Sequence, residues 1–78
     1  MFNEHDTVVL TIDIVEYDLK CGDIGAVVHC YADGTAYEVE FVAGDGKTVA
    51  VVTLRQKDIR PFGEQEILHA RELEKIAA

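Results

Sequence analysis

The chain contains no serine, no tryptophan and one proline, and it sets seven basic residues against fifteen acids. Without serine, hydrolysis by a serine nucleophile is excluded. Without tryptophan, a groove for proline-rich peptides loses its usual stacking platform, leaving only Tyr17, Tyr31 and Tyr37 as candidates. The apolar runs are too short to span a bilayer, so no membrane association is expected. No basic, apolar-cored leader opens the sequence, and a cytoplasmic protein is expected. In that compartment Cys21 and Cys30 read as free thiols rather than a disulfide. Neighbouring strand residues point to opposite faces, so His29 and Cys30 do not share a metal easily. No metal or other cofactor is expected.

Acidic charge predominates. The net charge is −8, and it is unevenly placed. Residues 1–46 hold ten acids and one base, Lys20, a net of −9; residues 47–78 hold five acids and six bases, a net of +1. Such a field repels phosphate backbones, so DNA is excluded as a partner and RNA disfavoured. It attracts a basic protein and speeds the encounter. The same acidity also serves plain solubility.

The 78 residues suffice for one small domain. Residues 1–6 are polar apart from Phe2 and are expected to fray. Thr7–Ile12 alternates as a first strand, with Val8, Leu10 and Ile12 on one face. A long mixed loop follows, with Ile14, Tyr17 and Leu19 as anchors. Residues 22–54 then form a three-stranded meander around the turn signals Asp33-Gly34 and Asp45-Gly46. Two-residue turns at both places set Cys30 opposite Tyr37, Val28 opposite Val39 and Ala26 opposite Phe41. On the other side they set Leu54 opposite Tyr37, Val52 opposite Val39 and Ala50 opposite Phe41. Both registers put Tyr37, Val39 and Phe41 inside and leave Glu38 and Glu40 outside with His29.

Asp58-Ile59-Arg60 forms a short closing strand that Pro61 ends. From Gly63 onward the period becomes helical. Ile67, Ala70, Leu73 and Ala77 share a stripe, with acids early and bases late. The expected fold is therefore mainly β: a small five-stranded SH3-like antiparallel barrel over 7–61, with a C-terminal α-helix over 64–77.

The segments L-K-x-G-D-x-G-x-V-V-H at Leu19–His29, A-Y-E-V-E-F at Ala36–Phe41 and E-I-L-H-x-R at Glu66–Arg71 resemble the domain-of-unknown-function 4926 family of small bacterial proteins. The resemblance runs from about Asp6 to Leu73, and Ala70 stands where the family usually has valine. It implies a cytoplasmic, non-enzymatic protein with an SH3-like barrel, and it brings no functional residue with it. Gly22-x-x-Gly25-x-Val27 also resembles the KOW turn of RNA-associated barrels, without the basic residues such modules present.

Nothing in the sequence amounts to a catalytic site. Cys21 or Cys30 with His29 or His69 lacks an orienting third group. Glu38 and Glu40 share an open strand face rather than a pocket. The GDG at 44–46 is a hairpin signal and not a phosphate loop, since no helix follows. The leading expectation is a non-catalytic protein-interaction module, an acidic inhibitor or antitoxin-like partner of a basic protein. Glu16, Asp18, Glu38 and Glu40 would make the contacts. The alternative is a homo-oligomer assembled through the C-terminal helix, with Ile67 and Leu73 at its interface. A small ligand- or RNA-binding barrel ranks below both.

Overall fold

The computed structural model describes residues 1–73. Five antiparallel strands form one sheet: β1 (Thr7–Leu10), β2 (Ile24–Cys30), β3 (Tyr37–Val42), β4 (Thr48–Leu54) and β5 (Ile59–Pro61). Their spatial order is β4-β3-β2-β1-β5, so the last strand returns to lie beside the first. Short 3-10 turns at Val15–Tyr17 and Gln56–Asp58 interrupt the β1–β2 and β4–β5 connections. The inner side is filled by Val8, Leu10, Leu19, Val27, Tyr37, Val39, Phe41, Ala50, Leu54 and Ile59.

The hairpin registers follow from local turn chemistry. In the first, the Gly34 N–H donates to the Tyr31 carbonyl and the Tyr31 N–H to the Ala36 carbonyl. The Asp33 carboxylate accepts from the Thr35 N–H and hydroxyl. The link is thus a four-residue loop, 32–35, yet it gives the same pairing as a two-residue turn, Cys30 with Tyr37. In the second, Gly46 adopts a φ of +86°, where a side chain is strained. Its N–H donates to the Ala43 carbonyl, and β3 and β4 pair as Tyr37–Leu54, Val39–Val52 and Phe41–Ala50.

Several expectations need correction. The first concerns β2. The ladder shifts between Val27 and His29, so Val27 rather than Val28 lies opposite Val39. Val27 is fully buried and Val28 is 42% exposed. β2 pairs with β1 through Ile24–Ala26 and with β3 through Ala26–Cys30. A strand serving two neighbours in this way bends, and the extra residue of a bulge both bends it and reverses the faces. Gly25 lies where β2 comes closest to β3: a Cβ there would stand 2.7 Å from Val39 Cγ1 and 2.9 Å from the Glu40 carbonyl oxygen.

The second correction is the C-terminal helix. Residues 64–73 contain no helix, and the remainder of the expected span, 74–77, lies outside the described residues. Glu66 folds back instead, accepting from the Gly63 N–H at 2.6 Å and from the Arg60 guanidinium at 2.6 Å on both oxygens. The carboxylate that should open a helix is spent on β5, and Ile67 ends up 89% exposed.

The third is the N-terminus, which is tied down rather than frayed. The Phe2 ring meets Tyr37 edge-on at 5.5 Å, its N–H donates to the Tyr37 hydroxyl, and the His5 N–H donates to the Val27 carbonyl at 2.7 Å. β1 is also shorter than expected, ending at Leu10, and Ile12 is exposed.

Candidate functional site

Two polar assemblies stand out. The first is on the outer face of β2–β4. Glu38 and Glu40 project outward from β3 because Tyr37, Val39 and Phe41 project inward. The Glu38 carboxylate accepts from the Thr53 hydroxyl at 2.7 Å and from the Tyr31 hydroxyl. These donors, Tyr31 before Thr53, hold Glu38 below the usual carboxylate range, and the carboxylate in turn raises the Tyr31 phenol. Glu40 accepts from the Thr48 hydroxyl at 2.6 Å. The His29 ring lies edge-on to Tyr31 at 4.9 Å, opposite Glu38 in the ladder. Exposed Val28, Val42 and Val51 share this face. The result is two fixed anionic groups set among apolar side chains on an open surface.

The second assembly locks the tail to the body. Asp23, at the entry to β2, is 8% exposed. Its carboxylate accepts from Arg71 through Nη2 at 2.6 Å and Nε at 2.9 Å, from the Lys20 N–H at 2.8 Å, and lies 3.1 Å from His69 Nε2. Burial opposes its charge, but Arg71, Lys20 and His69 together outweigh burial and bring its pKa down to about 2. Arg71 Nη2 also donates to the Asp18 carbonyl at 2.5 Å. Arg60 and Asp23 are thus the two posts of a strap, tied at Glu66 and Arg71. Cross-strand pairing puts Arg60, Val9 and Ile24 on one side of the sheet. Val9 lies between Arg60 and Ile24, outside the core cluster, and is 3% exposed.

The six residues expected to bind a partner are divided among these places. Glu38 and Glu40 stand together on the outer face. Glu16 is exposed in the Val15–Tyr17 turn. Asp18 is buried, in a left-handed backbone conformation with φ 56°, beneath Arg71. Ile67 is exposed on the strap and Leu73 is half-buried near its end, so they form no helical stripe. Sequence reasoning missed the Asp23–His69–Arg71 lock. Its members are 46 and 48 residues apart, but they fall within L-K-x-G-D-x-G and E-I-L-H-x-R, two of the three segments that stood out in the sequence.

Among the described residues, no group of three or more His, Cys, Asp or Glu side chains is arranged to hold a metal ion. No described helix is long and apolar enough to cross a membrane. The geometry defines a small antiparallel β domain with an acidic, partly apolar outer face and a strapped tail. The chain belongs to the family described as a domain of unknown function (DUF4926), whose model matches residues 4–61. The lock's acceptor, Asp23, falls inside that span, and its donors, His69 and Arg71, fall beyond it. No curated protein and no solved structure matches the chain.

Proposed function

We propose that this protein is a non-catalytic, cytoplasmic interaction module of SH3-like barrel type whose outer β2–β4 face docks a basic protein. The barrel reading is supported by the strand order, with β1 between β2 and β5 and a 3-10 turn leading into β5. The docking reading rests on one observation. Glu38 and Glu40 are fixed by neighbouring hydroxyls on an open face that also exposes Val28, Val42 and Val51. Preset carboxylates lose little side-chain entropy on meeting a cation, and the apolar neighbours add area to be buried. The net charge of −8 steers a basic surface toward them.

Capture from native lysate with the wild type and with the double variant Glu38→Gln, Glu40→Gln tests this reading. A basic protein held at low salt, released at high salt and lost with the double variant supports it. A partner retained equally by both proteins, or no partner at low salt, refutes it. Self-assembly through the C-terminal helix has no support among residues 64–73, where no helix forms.

A further inference from the structure

The two edges of the sheet are protected very differently. β5 is three residues long, carries Arg60, ends in Pro61 and lies under the Arg60–Glu66 tie. Shortness, charge and proline are the usual guards of an edge. β4 has none of these three, and its one irregularity, the register shift at Val49, lies at its start, short of Val51 and Thr53. Its seven residues, TVAVVTL, contain no charge, no proline and no glycine, and among the described residues a strand lies on one side only.

The direction of its backbone groups follows from the ladder. Tyr31 bonds Ala36 across the first hairpin, so alternate β3 residues from Ala36 onward, Glu38 among them, turn their peptide groups to β2. Tyr37, Val39 and Phe41 therefore bond β4 through Leu54, Val52 and Ala50. The peptide groups of Val51 and Thr53 face away from the sheet. On the outer face, Glu40 lies one strand in from Val51 and Glu38 one strand in from Thr53. Both carboxylates accept from β4 hydroxyls, Glu40 from Thr48 and Glu38 from Thr53 as well as Tyr31, and so lie beside the edge strand.

We propose that β4 is a docking edge for an extended basic segment of a partner protein, which adds an antiparallel strand with Lys or Arg at alternate positions. This rests on the docking reading above and assigns its mode. A residue opposite Val51 on the added strand would stand about 10 Å from Glu40, two strand spacings away. A lysine or arginine side chain spans that gap over Val51, and one opposite Thr53 does the same to Glu38. Charge selects a basic strand over a second copy, since two chains of −8 repel each other.

The test uses the full chain and a synthetic seven-residue peptide alternating valine and lysine. Two N-methylated versions carry identical side chains. One is methylated on the amides that would face β4, the other on those facing away. We expect the parent and the outward-methylated peptide to bind alike, and the inward-methylated one to bind at least about tenfold more weakly. In NMR spectra of the complex, the Val51 and Thr53 amides should show slowed hydrogen exchange. Equal binding by all three peptides would overturn edge pairing and leave charge-driven docking to the face intact. Failure of the parent peptide to bind at millimolar concentration would also overturn it. So would a concentration-dependent dimer that Val51→Pro abolishes, which would assign the edge to a second copy.

Discussion

Replacing Arg71 by Gln isolates the energy that ties the tail to the sheet. Asp23 is almost wholly buried, and its pKa falls from 3.8 to about 2 despite that burial. At ~1.4 kcal/mol per unit, the folded state stabilises the ionised carboxylate by about 2 kcal/mol net at neutral pH. Without Arg71 the burial cost remains, while the bidentate donor is lost. Urea denaturation at pH 7 should therefore find R71Q less stable by about 2 kcal/mol or more. The sign of the pH dependence is fixed by the direction of the shift. A depressed carboxylate contributes fully above its unfolded value near 4 and loses that contribution as pH falls toward about 2. The wild type should lose this increment across that window, and R71Q, having lost it already, should show a shallower decline. Arg71→Lys should recover the charge but only part of the stability, because an ammonium cannot replace the two-pronged contact. Wild-type stability for R71Q at pH 7, with parallel acid profiles, would refute the lock as a stabilising element.

Three further outcomes follow from the packing. Gly25→Ala should destabilise the fold by about 2 kcal/mol in urea, because the new Cβ meets Val39 at 2.7 Å and backbone at 2.9 Å; a neutral substitution would show that β2 can move away from β3. Val27→Ala should cost about 2 kcal/mol while Val28→Ala stays within about 0.5, and the reverse order would remove the bulge. Tyr31→Phe deletes the leading donor to Glu38, so the Glu38 carboxyl titration, followed by NMR, should move up toward the ordinary range; an unmoved midpoint would show that Thr53 alone holds it.

Much of the fold was legible because β structure writes its period into the sequence. Tyr37, Val39 and Phe41 alternate with Glu38 and Glu40, and a slip of one residue would bury two carboxylates. That penalty fixed the β3 faces and the β3–β4 register without any knowledge of neighbours. The bulge at Val27–Val28 was not legible, because two adjacent valines are equally apolar and either can face inward. The helical period after Gly63 was genuine but insufficient. A short helix draws most of its stability from packing, and here Glu66 and Arg71 find better partners in Arg60 and Asp23 than a helix could offer.

The outer site divides in the same way. Glu38 and Glu40 could be named as exposed acids from alternation alone. That Tyr31, Thr48 and Thr53 fix them, and that they stand one strand in from the β4 edge, depends on which strands lie side by side.

The amino-acid sequence by itself determined a small acidic β domain, the inward face of β3 and the pairing of β3 with β4 from Tyr37 to Phe41. Each of these rests on forces acting within a few residues or between adjacent strands. Tertiary structure alone decided which valine β2 buries, where the tail goes and what holds it. Those outcomes depend on groups nearly fifty residues apart meeting at Asp23, where only the folded sheet brings a buried carboxylate within reach of an arginine.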